Sequence, residues 1–415
     1  MEASNGRVGG SPLGGSSIGP PGVRSRPRDL RPPLHRSPAP ALDYPATNAI
    51  FHDPELLAEE RETLFEDGWV LAGMMDQLGG PGSHFVYEAE GRSVLVTLDE
   101  DGELHAFVNA CTHRGTRLCA AAGQGRIQCP YHGWVFGHDG RLVRATRAGG
   151  LAPCDPADLG LHELAAERMG AFVFVHGRAD AKGSLRDWLA DLAPHLERVS
   201  ESVGTLLFEV RLPIEANWKL AVSGGLEDYH APWVHSGAVS RVQPGEADTT
   251  VAPHGHSWFQ LTAPMPKRLR RLLPFLLGQR PPQVLESYGL FPNVTVVSLW
   301  CLVQVSNWVP VAPDRTLRIT RWYAPTPPGT RRLAMRVLAW VARRRSLRIM
   351  VEDQQIVAEA HRGTAVARSM RRGPAHAQEL RVEHLLAEVA RRLGRRHAGA
   401  TGPEREPQSA QESVG

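Results

Sequence analysis

The sequence predicts an α+β chain, in which a small all-β module over about 70–180 precedes a larger region mixing helices with strands. Three observations predict it. Short segments of alternating polarity, separated by turn residues, crowd the first half. Helical apolar spacing and strand-like runs both occur beyond 181. The length of 415 residues exceeds one small module and gives two domains room to bury cores.

Residues 1–40 are Gly, Pro, Ser and Arg with almost nothing to bury, so a disordered tail is expected. Over 41–69, "FHDPELLAEERETLFEDGW" carries helical spacing, with Asp53 placed as N-cap and Pro54 at the first helical position. Within 70–180, "HFVYEAEGRSVLVTLDEDGELHAFVN" reads as strands joined by the turn "DEDGE", and "WVFGHDGRLV" (134–143) as a hairpin turning at Asp139-Gly140. In 181–396, "SLRDWLADLAPHLERVS" reads as one amphipathic helix and "TLLFEVRLPIEANW" as a strand. "NVTVVSLWCLVQVSNWVPVAPDRTLRITRWYA" reads as a pair of strands, and the end is helical and basic. A second disordered tail is expected over 397–415.

The 47 Lys and Arg against 44 Asp and Glu leave a net charge of +3, which gives no argument for a nucleic-acid partner. Basic residues cluster in "KRLRRLL" (267–273) and "RRLAMRVLAWVARRRSLR" (331–348); both read as core-facing helices with a solvated basic face. No uninterrupted run of 18 apolar residues and no N-terminal apolar region is seen, so no membrane partner and a cytoplasmic location are expected. Five cysteines, three of them within 111–129, do not describe a disulfide framework and point to metal or redox use. No strand is followed by GxGxxG, so the chain is not expected to bind its own nicotinamide or flavin in a Rossmann unit.

The stretch "CTHRGTRLCAAAGQGRIQCPYH" (111–132) supplies Cys111-x-His113 and Cys129-x-x-His132. A structural zinc site uses these ligand types, but zinc fingers usually place paired cysteines before paired histidines. Here each loop has one of each, which suits a two-iron cluster: thiolates of Cys111 and Cys129 on one iron, neutral imidazoles of His113 and His132 on the other. "CTHRG" with "CPYHGWVFGHDGRL" resembles the Rieske [2Fe-2S] motif loop by loop. Cys119, Cys154 and Cys301 lie outside the four positions and read as small core residues.

A second constellation lies in "NWKLAVSGGLEDYHAPWVH" (217–235), which offers Glu227, Asp228, His230 and His235. Residues five apart diverge on a straight helix, so Pro232 is expected to bend the chain and bring the two histidines together. A carboxylate would complete a 2-His-1-carboxylate iron site. The candidate is Asp353 in "MVEDQQIVAEAHRG" (350–363), on the face expected to bury Ile356, Val357 and Ala360. The pattern Asn-Trp-Lys, acid-x-x-His-x4-His, then Glu-Asp-x5-Glu is similar to the catalytic domain of Rieske non-haem iron oxygenase α subunits. Together with the cluster motif the resemblance covers about 45–395. One departure is Ser223-Gly224, where many relatives carry an acid followed by Asn.

The resemblance implies a Rieske domain joined to a catalytic domain with a central antiparallel sheet flanked by helices. It implies His230, His235 and Asp353 as ligands of a mononuclear Fe(II), and Glu227 as a carboxylate bridging His230 to His132 of a neighbouring subunit. It implies a terminal oxygenase that takes O2 and electrons from NAD(P)H through an external ferredoxin or flavin reductase, hydroxylates an aromatic or other organic substrate, and assembles as a homotrimer or α3β3. The alternative within the class is a monooxygenase acting on N-methyl, O-methyl or quaternary ammonium carbon; a more remote one is an electron carrier without catalysis. Aromatic residues in "SWFQL", "SYGLFPN" and "NWVP" are expected in the core.

Overall fold

We describe a computed structural model in which residues 47–400 are placed, apart from 90, 148, 150–154, 182, 236–247, 279, 328 and 374. The tail expected over 1–40, Cys154, and all of the second tail beyond 400 lie outside the described residues. Helix runs on to Ala400, three residues past the predicted start of that second tail.

Helix α1 (Pro54–Glu60) begins where Asp53 Oδ1 accepts the Glu55 and Leu56 N–H groups at 2.9 and 3.3 Å, and a wider helical turn, Arg61–Glu66, follows it. The all-β module comprises β1 (Trp69–Met74), β2 (Ser83–Ala89), β3 (Arg92–Leu98), β4 (Leu104–Val108), β5 (Gly123–Gln124) and β6 (Ile127–Gln128). It continues with β7 (Val135–Phe136), β8 (Leu142–Arg144), β9 (Glu163–Leu164), β10 (Ala166–Met169) and β11 (Phe172–His176). These form three antiparallel sheets, ordered β5-β2-β3-β4-β9, β6-β7-β8 and β1-β11-β10. Both predicted turns are present: Asp99 Oδ1 accepts the Asp101 and Glu103 N–H groups, and Gly140 takes φ 80°.

Beyond it lie α2 (Leu185–Leu189) and α3 (Ala193–Ser200), which replace the single helix predicted there. The break falls at Ala190, whose φ is 48°, and Pro194 restarts the chain in the first turn of α3. Then follow β12 (Thr205–Ile214), α4 (Trp218–Ser223), α5 (Ala231–Val234), β13 (Asp248–Val251), β14 (Ser257–Thr262) and α6 (Lys267–Leu277). The remainder is β15 (Val284–Leu290), β16 (Val294–Leu299), β17 (Leu302–Ala312), β18 (Arg315–Ala324), α7 (Arg332–Val366) and α8 (Leu380–Ala400). The seven strands make one antiparallel sheet, ordered β12-β18-β17-β16-β15-β14-β13, with helices packed on it. The stretch read as two strands is three, because Trp300 and Cys301 close a two-residue hairpin between Leu299 and Leu302. Trp300 takes φ 60° there, a conformation with no local signal in an aromatic residue. Phe259, Tyr288, Phe291 and Trp308 are buried, as expected of core aromatics, whereas Trp258 is half-buried at the edge of the core.

A buried polar knot joins the N-terminal helix to this sheet. Glu60 accepts from Lys219 Nζ at 2.6 Å and from Trp218 Nε1 at 2.7 Å, and Glu60, Trp218 and Lys219 are all sealed from solvent. Asn217 caps α4 by accepting the Lys219 N–H at 3.1 Å and donates Nδ2 to the Pro313 carbonyl at 3.0 Å. Thr316 Oγ1 donates to the Ala216 carbonyl at 2.8 Å. The start of α4 is thereby locked to β18 and to α1. Lys219→Met leaves Glu60 as an uncompensated buried charge and is expected to cost about 3–5 kcal/mol in urea unfolding; adding Glu60→Leu to it is expected to restore most of that loss.

Candidate metal centres

The two loops that carry the cluster motif are built alike. In the first, the Cys111 N–H donates to the Thr116 carbonyl and the Gly115 N–H to the Cys111 carbonyl, both at 2.8 Å. In the second, the Cys129 N–H donates to the Trp134 carbonyl at 2.8 Å and the Gly133 N–H to the Cys129 carbonyl at 3.0 Å. Gly115 and Gly133 take φ 71° and 72°, a left-handed conformation that closes each loop and that side chains resist. The loops lie together: the His113 and His132 ring centroids are 4.7 Å apart, and His113 stacks on Trp134 at 4.7 Å.

Exposure divides the four donors by type. Cys111 and Cys129 are unbridged and buried beside Leu95, Phe107, Ile127 and Trp134, whereas His113 is exposed and His132 partly so. Burial pushes the Cys111 thiol up, so a thiolate in that core requires a cation beside it. The arrangement fits a cluster with an inner iron on sulfur and an outer iron on imidazole. Cys301 is buried in another part of the core and Cys119 half-buried at the edge of this one, as expected of packing residues.

The second constellation converges as expected, by a route that differs from the one predicted. Pro232 does not break a helix; it occupies the first turn of the four-residue α5, where an N–H would have no partner. His230 immediately precedes α5 and His235 immediately follows it, and one turn brings their rings to 5.3 Å. Asp353 reaches them from α7, but the helix face also needs correction: Ile356 and Ala360 are exposed, and Asp353, Val357 and His361 form the inward row. One ligand atom from each of His230, His235 and Asp353 can be chosen so that all lie within 4.8 Å of one another.

The outer nitrogens of both rings are already engaged. His230 Nδ1 lies 2.5 Å from Glu227 Oε1, and His235 Nδ1 lies 2.9 Å from Glu352 Oε2. If each Nδ1 donates to its carboxylate, each Nε2 presents a lone pair. His230 Nε2 and His235 Nε2 lie 3.5 and 2.9 Å from Asp353 Oδ1, a buried oxygen with no hydrogen bond of acceptable geometry. Three acceptors thus face one point, which a cation satisfies. The electrostatics agree. Burial lowers the His230 pKa, but Asp353 and Glu227 outweigh it and push it up to about 10. Burial raises Asp353, yet the two histidines and Arg318 hold it below the usual carboxylate range.

Two further residues shape the site, and local sequence gave no signal for either role. Glu352 orients His235 from the position next to Asp353. Buried Arg318 on β18 lies with Nη1 3.5 Å from Asp353 Oδ2 and its guanidinium carbon 4.2 Å above the Trp308 ring. With Oδ2 turned to Arg318, Oδ1 is the oxygen left for the histidine side. At the departure from the family pattern, Ser223 Oγ donates to the Lys219 carbonyl at 2.6 Å. A side chain at Gly224 would meet only ordinary contact with Val357, whereas one at Gly225 would strike the Trp308 ring at 2.8 Å. Gly225 is therefore the glycine that lets the ligand loop approach the sheet.

Residues 185–395 match the family of the ring hydroxylating alpha subunit (catalytic domain), and residues 68–154 match the Rieske [2Fe-2S] domain. The chain belongs to the Rieske ring-hydroxylating α subunits. It carries that family's Rieske 2Fe-2S domain and its catalytic non-haem iron domain. It is 31% identical over 235 residues to a chloroplastic choline monooxygenase of Amaranthus tricolor, covering 54% of this chain and 53% of that one. It is 28% identical over 323 residues to a glycine betaine monooxygenase oxygenase subunit of Chromohalobacter salexigens, covering 68% and 71%. The match thus spans about half the length of the first relative. A quaternary ammonium Rieske monooxygenase bound to an inhibitor superposes with a TM-score of 0.71 at 21% identity, covering 83% of this chain and 94% of that one. Naphthalene 1,2-dioxygenase from Rhodococcus sp. bound to indole gives 0.68 at 21%, covering 84% and 94%. These two likenesses concern the fold. Among the described residues, no helix is long and apolar enough to cross a membrane.

Proposed function

We propose that this chain is the terminal oxygenase component of a multicomponent Rieske oxygenase, working in the cytoplasm as a homotrimer or with a small second subunit as α3β3. The observation that carries the reading is the convergence of His230, His235 and Asp353 in the same chain as the Cys111, His113, Cys129 and His132 loops. An electron carrier alone has no use for the first set. Cys111 and Cys129 would hold the inner iron of the cluster, His113 and His132 the outer, and His230, His235 and Asp353 the mononuclear iron. When bound, the cluster supplies single electrons and the mononuclear iron activates O2. Electrons would come from NAD(P)H through an external ferredoxin or flavin reductase.

The protein's own contribution is positional. Glu227 and Glu352 each fix the tautomer and orientation of one histidine by accepting from its Nδ1. Against the effect of burial, His230, His235 and Arg318 together hold Asp353 charged, and Arg318 takes Oδ2 so that Oδ1 faces the histidines. Glu227 would also accept from His132 of a neighbouring subunit, making a path between the centres across an interface. In a monooxygenation, a substrate C–H bond, O2, two electrons and two protons give C–OH and water. The better supported substrate class is a quaternary ammonium or other methylated amine, because a choline monooxygenase and a glycine betaine monooxygenase oxygenase subunit match this chain over 235 and 323 residues. An aromatic substrate keeps support from a 33% identical relative, the anthranilate 1,2-dioxygenase large subunit of Acinetobacter baylyi.

Oxygen consumption with product mass spectrometry, over choline, betaines, other methylated amines and aromatic acids, tests this reading. Three irons per chain and a hydroxylated or demethylated product are expected; two irons and no product from any compound would return the chain to electron carriage. Glu227→Ala is expected to retain both metals and lower turnover by about 10- to 100-fold. Undiminished turnover with reductant would remove Glu227 from the path. Arg318→Met is expected to weaken mononuclear iron binding by about 10- to 100-fold in a chelator competition while leaving the visible spectrum of the cluster unchanged.

A further inference from the structure

The basic stretches 267–273 and 331–348 were expected to bury their apolar residues and leave the arginines to solvent. The structure contradicts this. Helix α6 and the first half of α7 do pack on the sheet through Leu273, Leu276, Leu277 and Met335. A second apolar set points outward: Phe275 is 63% exposed, Leu333 70%, Val337 59%, Trp340 56% and Val341 51%. On α7 these recur at spacings of four, three and one, a single stripe on the side away from Met335 and Ala339. Helix α7 is apolar on two opposite sides, and among the described residues only one of them meets the core.

Charge on this surface is predominantly positive. Residues 267–271 carry four Lys and Arg and residues 331–348 carry seven Arg, and neither 263–285 nor 315–351 contains an Asp or Glu; at the far end of the stretch Arg348 pairs with Glu352 at 2.9 Å. The cations are interleaved with the exposed apolar groups: Arg344 lies 4.2 Å over the Trp340 ring and Arg331 4.8 Å over that of Phe275. The arginines bring α6 and α7 into one surface, since Arg331 stands at the start of α7 and Phe275 is on α6. A second copy of this chain meeting the face across a two-fold axis would set these cations against themselves. A head-to-tail contact of the kind a trimer uses would not, and oligomer mass in light scattering separates that case.

We propose that the outer face of α6 and α7 docks on an anionic lipid bilayer. Trp340, Phe275, Leu333 and Val337 enter the boundary between headgroups and acyl chains, while the arginines extend to lipid phosphates. A bilayer accepts both at once without needing a complementary shape, which suits two convex helices. The attachment is peripheral and is independent of a membrane span. It revises the expectation that membranes play no part. Asp353 sits on the same helix, thirteen residues beyond Trp340 and so about 20 Å away along its axis, which ties the mononuclear iron site rigidly to the docking surface.

Sedimentation of the full-length protein with vesicles tests the docking. Phosphatidylglycerol–phosphatidylcholine vesicles are expected to bind at least about tenfold more tightly than phosphatidylcholine alone, with the difference collapsing at high salt. The pair Val337→Glu and Trp340→Glu is expected to weaken binding at least about tenfold with unchanged iron content and circular dichroism, and the set Arg336→Gln, Arg343→Gln and Arg344→Gln to do so independently. Both variant sets keep the arginine-bearing N-terminal 40 residues, so loss of binding in them assigns it to the helices. Failure of the wild type to sediment with anionic vesicles at low salt, or unchanged binding by both sets, overturns the proposal. A lowered oligomer mass in light scattering for the Val337 and Trp340 pair would give the face to a second copy. Loss of complex with an acidic electron-donor protein, without vesicle binding by the wild type, would give it to that donor.

Discussion

Glu60 is a carboxylate with no access to water, and the geometry of the mononuclear site depends on how it is satisfied. Lys219 and Trp218 neutralise and cap it from the first turn of α4, while Asn217 fastens the same turn to the hairpin between β17 and β18. Six residues later α4 ends, Gly225 slides under Trp308, and the chain delivers Glu227, His230 and His235 in succession. Arg318 descends from the strand that begins at that hairpin. The ion pair therefore does more than stabilise: with the Asn217 bond it fixes both the loop that brings the histidines and the strand that brings the guanidinium. A buried pair is weak evidence for net stability compared with an apolar substitute. Its value here lies in specifying one docking of three chain segments.

The second constraint is electrostatic. Glu227, Glu352 and Asp353 surround two imidazoles, and Arg318 is the buried guanidinium that offsets them. Such a cluster attracts positive charge, as the raised His230 and His235 show. A proton meets the demand singly; a divalent ion on Nε2, Nε2 and Oδ1 meets it for all three donors at once. The cluster loops solve the same problem differently, by burying the thiols and leaving the imidazoles outward. The two sites ask for cations of different character within one chain.

Legibility in the sequence followed the range of the interactions. Cys111-x-His113, Cys129-x-x-His132 and His230-x4-His235 are local, so spacing and flanking glycines sufficed to recognise them. The turns at Asp99 and Asp139 were legible for the same reason. Arg318 and the role of Glu352 arise from sheet and helix packing more than 80 residues from the histidine loop, and no local pattern marks them. Pro232 was misread because a proline interrupts a helix in its interior and favours one at its start. The hairpin at Trp300 was missed because an aromatic residue with positive φ is held by tertiary contacts, here a bond from its Nε1 to the Ala263 carbonyl at 2.8 Å.

Helix α7 explains the misjudged helix faces along its length. Amphipathic reasoning assigns an apolar stripe to the core because a single stripe has one place to go. Over 35 residues α7 carries two: Met335, Ala339 and Met350 inward, Leu333, Val337 and Trp340 outward. With apolar groups on both sides, periodicity cannot say which of them meets the sheet, and the same ambiguity displaced Ile356 and Ala360 to the wrong side further along. Only the position of Asp353 breaks the tie, since a carboxylate committed to His230 and His235 fixes the rotation of the whole helix about its axis. The site thus determines which stripe is left facing outward, and a rigid helix transmits that choice from Asp353 and its histidine partners to the molecular surface.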